Sequence, residues 1–179
     1  METTKQKLAS SFKTLAPKFG YKNALAAPRL VKVVISSGTG SKMKNDKNKN
    51  TFIADRLARI TGQKPSARQS KQSIASFKLR EGEVVGQMVT LRGERMNSFI
   101  DKLINIAFPR TKDFRGLESK GIDDVGNLTI GIKEHTIFPE TGDEELKDVF
   151  GLAITFVTTA KSKPEARAFF DHIGIPFKK

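Results

Sequence analysis

Residues 84–117, VVGQMVTLRGERMNSFIDKLINIAFPRTKDFRGL, constrain the fold more than any other stretch, because two hydrophobic periods meet there without a gap. From Val84 to Arg92 the period is two. Val85, Gln87, Val89 and Leu91 point one way, and Gly86, Met88, Thr90 and Arg92 the other. Val89 and Leu91 suit a packed face, whereas Thr90 and Arg92 suit water or a ligand. After a turn at Gly93 the period becomes helical, with Met96, Phe99, Ile100, Leu103, Ile104 and Ala107 on one stripe and a stop predicted at Pro109. Burying the large side chains of that stripe is worth on the order of 10 kcal/mol gross, before entropy. The helix is therefore expected to lie on the sheet that contains its preceding strand, leaving the sheet's other face polar. Arg92, Arg95, Arg110, Lys112 and Arg115 fall at the ends of these elements, a scaffold that displays cations.

Charge points the same way. The 179 residues carry a net charge of +13 with a pI near 10.0, and the natural partner of such a surface is a polyanion. Its distribution is uneven: residues 1–117 are net +16, residues 118–148 net −6 and residues 149–179 net +3. A basic body with one acidic segment suggests two kinds of partner, although a solubilising acidic loop would show the same pattern. The length suits one domain, predicted over residues 1–179. Cysteine is absent, which excludes disulfides, thiolate metal sites and cysteine nucleophiles and fits a reducing cytoplasm. No apolar run approaches the roughly 20 residues a membrane span needs, and METTKQKLASSFK lacks a secretory h-region.

In chain order, Thr4 to Phe19 reads as an amphipathic helix with Leu8, Phe12, Leu15 and Phe19 on one face, frayed by Pro17. The β-branched run Leu30 to Ile35 reads as a strand ending in a small-residue turn, Ser36 to Gly40. Ser41 to Asn50 reads as a mobile basic loop, and a helix capped by Asn50 or Thr51 runs to Gly62. Residues 62–73 carry no core-forming pattern but suit phosphate contact. Ile74 to Arg80 partly alternates, with Phe77 and Leu79 on one side. Phe77 could stack on a base, though a buried Phe is the commoner outcome. Further on, Leu128 to Ile132 and Gly151 to Thr159 read as strands, Thr136 to Phe138 as an extended piece, Glu140 to Asp148 as an acidic turn, and Ser162 to Gly174 as a helix opened by Pro164.

Catalytic patterns are weak. Gly38-x-Gly40 with Lys42 lacks the spacing of a phosphate-binding loop, and Asp46-x-Asn48-x-Asn50 lacks the glycine and closing glutamate of a calcium loop. His135 and His172 are far apart in sequence, and Asp123-Asp124 and Glu144-Glu145 sit in polar turns. Neither enzyme activity nor a cofactor is expected. The rival classes are a basic nucleic-acid enzyme, such as a nuclease, which needs clustered carboxylates, and a DNA-binding regulator, for which no helix–turn–helix or zinc-finger pattern appears.

Several longer runs carry a family signature: Thr61 to Pro65, Ser73 to Gly82, Val89 to Met96, Pro109 to Leu117 and Thr158 to Lys161. In this order they resemble the bacterial large-subunit ribosomal protein family that binds 5S rRNA, the universal "L-five" family, over nearly the whole chain. The resemblance implies an α+β fold, an antiparallel sheet with helices packed on one face. It implies a cytoplasmic ribosomal protein in the central protuberance beside 5S rRNA, large-subunit rRNA and neighbouring ribosomal proteins, with contacts to the peptidyl-site tRNA and to a small-subunit head protein. Carried over residue by residue, the 5S rRNA contacts fall on Gln63 and Thr90, and on Ser36 where the family usually has Asn, with Lys64, Arg68 and Arg92 beside them. The tRNA contacts fall on Ser73, Ile74, Phe77, Lys78 and Arg80, with Gln72 in place of the usual cation. The bridge residues are assigned from charge and not carried over: phosphate would repel the acidic segment, so Glu140, Asp143, Glu144 and Glu145, with Lys112 and Arg115 of the loop before it, are expected to meet a basic small-subunit head protein away from the 5S rRNA. Ser has one hydroxyl where Asn has both a donor and an acceptor, so the contact at Ser36 is expected to be weaker or water-mediated.

Overall fold

A computed structural model describes residues 2–39, 48–112, 114–142 and 149–178. The predicted basic loop therefore lies mostly outside the described residues, as do the two rejected ligand loops beyond Thr39 and the acidic residues Asp143 to Asp148. The elements are α1 (Thr4–Phe19), β1 (Leu30–Gly38), α2 (Lys49–Thr61), β2 (Ser66–Gln69), β3 (Val84–Leu91), α3 (Gly93–Lys102), a π-helical turn (Leu103–Ala107), α4 (Phe108–Arg110), β4 (Leu128–Ile132), β5 (Leu152–Thr158) and α5 (Lys163–Ile173). The strands form an antiparallel sheet of order β2-β3-β1-β5-β4, and with the helices this gives the expected α+β fold.

Packing groups the residues into two compact units: Met1–Val33, Arg92–Ile130 and Thr155–Lys179 in the first, and Val34–Leu91 and Gly131–Ile154 in the second. Strands β1, β4 and β5 contribute residues to both.

Helix–helix contacts dominate the first unit. Helix α1 packs on α3 and α5. Its start is fixed by a capping box between Thr3 and Gln6 and by Asp101, whose carboxylate accepts from the Thr4 amide at 2.8 Å and the Thr4 hydroxyl at 2.7 Å. Pro17 is accommodated in the last turn, and Gly20 closes the helix in the left-handed conformation. Of the predicted stripe, Leu15 is buried, Leu8 and Phe12 are half-buried, and Phe19 stays at the surface, stacked on Tyr21. Helix α5 buries Ala166, Phe169, Phe170 and Ile173, as its spacing predicts, and Phe170 meets Phe156 of β5 edge-on. Glu165 is buried as well. It accepts a hydrogen bond from the Tyr21 hydroxyl and another, at 2.7 Å, from the Lys161 amide.

The organising helix departs from its expected end. Met96, Phe99, Ile100, Leu103 and Ala107 are buried, but the backbone widens over Leu103–Ala107, where the Phe108 N–H donates to the Leu103 carbonyl. Pro109 has no N–H for the Asn105 carbonyl, and its ring would press on that carbonyl in a regular helix. The wider turn accommodates this, so the chain stays helical through Pro109 to Arg110 instead of stopping. The stripe rotates in consequence: Phe108 is buried, Ile104 is only half-covered and Ile106 is exposed.

In the second unit, β3 buries Gln87, Val89 and Leu91 and leaves Met88 and Thr90 half-open, which sets the predicted register. Helix α2 packs on β3 through a face that includes Ile53, Leu57 and Ile60. It begins at Lys49 with Asn48 as cap residue, slightly earlier than expected, and ends at a left-handed Gly62. Strand β1 continues past Ile35 through Ser36, Ser37 and Gly38, where the sequence predicts a turn. Small side chains permit this: the Ser37 hydroxyl donates to the Gly151 carbonyl at 2.8 Å, and the Thr39 amide to the Val85 carbonyl at 2.8 Å. Gly86 sits where a Cβ would lie 3.1 Å from the Ser37 carbonyl. Instead of an extended piece, Thr136 to Phe138 lies in tight turns, His135–Ile137 and Pro139–Thr141. His135 is fully buried, stacked on Phe150, with Nδ1 accepting from the Phe150 amide. It is a structural histidine.

Two measurements check this packing. Phe99→Ala should cost about 3–5 kcal/mol in denaturant unfolding through the cavity it leaves. Burial and the adjacent Glu165 carboxylate push the Tyr21 hydroxyl well above its ordinary value of 10.0. The neutral donor is therefore the stabilising form. Tyr21→Phe should cost about 1.5–3 kcal/mol. That deficit should be constant below about pH 10 and shrink as the pH rises further, because the unfolded tyrosine ionises first.

Candidate nucleic-acid interface

The polar face predicted for the sheet is built in the second unit from alternate residues of three strands. Helix α2 covers the odd-numbered side of β3, so Thr90 and Met88 face the other way, and the same alternation turns Ser36 of β1 away from buried Ile35 and Ser37. Strand β2 adds to that face. It pairs antiparallel with β3, Ser66 opposite Met88 and Arg68 opposite Gly86, with a register shift between Arg68 and Gln69. Directly opposed residues share a side, so Ser66 and Arg68 join Met88 and Thr90. All residues of β2 are exposed. That explains why residues 62–73 show no pattern: an edge strand with neither side buried has no alternation to read.

Gln63 enters this face from the end of α2. Gly62 reverses the chain, Thr61 holds the turn by donating to the Leu57 carbonyl at 2.6 Å, and the Gln63 side-chain amide donates to the Thr90 backbone carbonyl at 3.2 Å. The structure thus joins two residues far apart in sequence. The Gln63 carbonyl oxygen and the Thr90 hydroxyl remain as hydrogen-bonding groups at the surface. Lys64 and Arg68 are placed beside them in the same segment, and both are exposed. Arg92 is the residue before α3, in the first unit, exposed and reaching the Val31 carbonyl at 3.4 Å.

Residues 70–83 form a hairpin that carries Ser73, Ile74, Phe77, Lys78 and Arg80. Ile74 and Leu79 exchange backbone hydrogen bonds of 3.0 and 3.2 Å around a tight turn at Ala75–Phe77. Lys78 adopts a left-handed conformation at φ 50°, the only non-glycine residue with positive φ among those described. This replaces the extended, alternating reading of Ile74 to Arg80. It also overturns the commoner outcome for Phe77, which is 65% exposed at the tip rather than buried. At the base, the Ser73 hydroxyl accepts from the Glu81 amide at 2.9 Å, and Gly82 turns the chain into β3.

Lys112 and Arg115 project from the loop after α4, where Phe114 stacks on Phe108. The C-terminal tail pins the end of this loop: the Leu117 amide donates to the Pro176 carbonyl and the Lys178 amide to the Leu117 carbonyl, both at 2.8 Å. Gly116 makes the approach possible, with φ 97° and no Cβ to meet the Lys178 nitrogen at 2.7 Å. Glu140 is exposed on its own tight turn in the second unit, and Asp143, Glu144 and Glu145 lie outside the described residues. Among the described residues no group of three or more His, Cys, Asp or Glu side chains stands together, and no helix is long and apolar enough to cross a membrane.

In the second unit, a sheet face left partly open, with polar side chains and exposed cations beside it, defines the class of surface that binds polyanions. Comparison with known proteins narrows this. Residues 23–80 match the family model for ribosomal protein L5, and residues 84–177 match the model for the C-terminus of the same ribosomal protein family. The chain is 50% identical over 165 residues to the large ribosomal subunit protein uL5 of Desulforamulus reducens, covering 92% of this chain and 91% of the relative. Against the proteins of the same name from Heliobacterium modesticaldum and Carboxydothermus hydrogenoformans the identities are 49% and 46%, over 90% of this chain and 89% and 90% of the relatives. The chain belongs to the ribosomal L5 protein family. It is a structural, rRNA-binding protein of the large subunit of the cytoplasmic ribosome, and not an enzyme.

The pinned loop yields a test. Gly116→Ala introduces both an unfavourable backbone conformation and a clash with the tail backbone, so it should destabilise by more than about 1 kcal/mol in urea unfolding. Gly38→Ala, where no atom lies within 4 Å of the added Cβ and φ is ordinary, should change stability by much less.

Proposed function

We propose that the open sheet face of the second unit binds 5S rRNA, with Ser36, Gln63, Thr90, Lys64 and Arg68 as contacts and Arg92 as a further phosphate partner. The observation that carries this reading is the hydrogen bond from Gln63 to the Thr90 carbonyl. It holds two side chains of unlike origin at one place on an open face, with an exposed basic strand alongside. Polar groups pre-positioned on a rigid sheet lose little entropy on binding, and lysine and arginine at the rim supply the salt-dependent attraction to phosphate.

The hairpin tip, with Phe77, Lys78 and Arg80 projecting and Ser73 and Ile74 framing it, is the element we assign to peptidyl-site tRNA. An exposed aromatic between cations offers stacking and phosphate contact together. Lys112 and Arg115 with Glu140, Asp143, Glu144 and Glu145 are assigned to a small-subunit head protein, through exposed ion pairs worth roughly 0.2–1 kcal/mol each. Bonds that weak suit a contact that is remade as the subunits rotate. The whole chain acts in this reading as a single RNA-binding domain of the central protuberance, beside large-subunit rRNA and neighbouring proteins.

Thr90→Ala should leave thermal stability nearly unchanged and weaken 5S rRNA binding by roughly 1–3 kcal/mol in a filter-binding titration. Gln63→Ala should weaken binding similarly and also cost about 0.5–1.5 kcal/mol of stability, since it removes the bond to Thr90. With Arg92→Ala, the slope of log K against log salt should become shallower by about 0.7–0.9. Unchanged 5S affinity in all three variants would move the binding site elsewhere. Glu144→Lys with Glu145→Lys should alter subunit association at low salt and leave 5S affinity as it is.

A further inference from the structure

In the first unit, the segment that carries Lys112 and Arg115 runs from α4 to a tight turn at Ser119–Gly121, and it is held at two places. On one side Phe114 lies flat on buried Phe108, with ring centroids 5.1 Å apart and planes inclined by 7°. On the other, Leu117 is bridged to Phe177 of the C-terminal tail through the hydrogen bonds to Pro176 and Lys178. Arg115 and Gly116 are the residues between the two holds. Arg115 is exposed and, among the described residues, joins no ion pair. Its backbone is fixed while its charge is left available.

A tail can order a loop only if the tail is itself fixed, and Arg167 of α5 fixes it. Helix α5 is anchored by buried Ala166, Phe169 and Phe170, and Arg167 stands half-buried beside them. Its guanidinium lies over the ring of half-buried Phe177, 3.8 Å from the centroid. The same group donates from Nη1 to the Ser119 hydroxyl, where the loop ends, and from Nε to the Asp171 carboxylate at 3.0 Å. Face and edges of one planar fork are therefore all used. Asp171 steadies the fork on its own helix, Phe177 ties down the tail, and Ser119 ties down the far end of the loop. A lysine would supply the charge but not this geometry, because an ammonium has no face to stack and no fixed fork. Lys178 adds an exposed ion pair with Glu118 at 3.2 Å, a minor contribution.

Exposed ion pairs are weak largely because long side chains lose freedom when they form, and a mobile backbone beneath them adds to that loss. Ordering the backbone in advance strengthens such a contact without adding any new one. We infer that Arg167 is a positioning residue for the small-subunit bridge: by clamping Phe177 and Ser119 it holds the backbone around Arg115 in one conformation, so that Arg115 meets its partner already ordered. The inference rests on the assignment of Lys112 and Arg115 to a small-subunit head protein. A purely structural role for Arg167, as a stabiliser of α5, would loosen the protein generally instead of this segment alone.

Full-length protein with Arg167→Ala, Phe177→Leu or Phe177→Tyr is first digested with trypsin under native conditions. The Arg115–Gly116 bond lies between the two holds and is cut when they open, whereas the Lys78–Leu79 bond of the second unit reports general loosening. Arg167→Ala and Phe177→Leu should speed cleavage after Arg115 at least about fivefold and leave cleavage after Lys78 within about twofold. Phe177→Tyr keeps the ring under the guanidinium and should behave as wild type. Large subunits assembled with the first two variants should associate with small subunits about two- to tenfold more weakly, and those with Phe177→Tyr normally, while 5S affinity is unchanged throughout. Equal acceleration at both bonds, or unchanged cleavage after Arg115, overturns the inference. Faster cleavage with unaltered subunit association also overturns it, and leaves the bridge standing if Arg115→Ala weakens association in the same assay. If Arg115→Ala has no effect either, the bridge assignment itself fails and the inference falls with it.

Discussion

The structure depends on β3 being buried more deeply on one side than on the other. Gln87, Val89 and Leu91 are covered, Met88 and Thr90 are half-open, and because side chains alternate strictly, that division also decides which side chains of the strand reach the surface. A slip of one residue would bury the Thr90 hydroxyl and expose Leu91. It would break the fold and the candidate site together. The same strand supplies the backbone carbonyl that holds Gln63 and the ladder that holds β2, and its end feeds directly into α3.

Around that strand, small residues and glycines set where backbones approach. Ser37 and Gly86 let β1 and β3 continue together past the point where larger side chains would part them, and Gly116 lets the tail lie against the loop that carries Arg115. Polar groups taken out of water are used structurally: Asp101 fixes the start of α1, Glu165 orders the turn into α5, and His135 stacks within the second unit. Each has hydrogen-bond partners, as burial of a polar group requires.

Much of this was legible in the residues. The stripe of α5, the alternation of β3, β4 and β5, and the stops at Gly62 and Gly174 follow from periodicity and capping, which are local properties of the chain. The departures share one cause, that the deciding partner is distant in sequence. Strand β2 has no buried side and exists because β3 offers a ladder. Phe77 is exposed because hydrogen bonds between Ile74 and Leu79 close a hairpin tip under it. Residues 36–38 stay in β1 because the carbonyls of Gly151 and Val85 accept hydrogen bonds there.

By itself, the sequence determined the fold class, the basic character and the family, since composition, periodicity and motif order need no partner to be read. It also named Ser36, Gln63 and Thr90 as candidates, through resemblance alone. Only the tertiary structure decided that Gln63 meets the Thr90 carbonyl, that Arg68 shares a side with Thr90, and that Pro109 is carried inside a helix by a π-helical turn. It alone set Arg167 over Phe177 and against Ser119. The physical reason is the same throughout: a hydrogen bond or a pairing register between residues tens of positions apart leaves no periodic trace in either segment, and is fixed only when the sheet and its helices close.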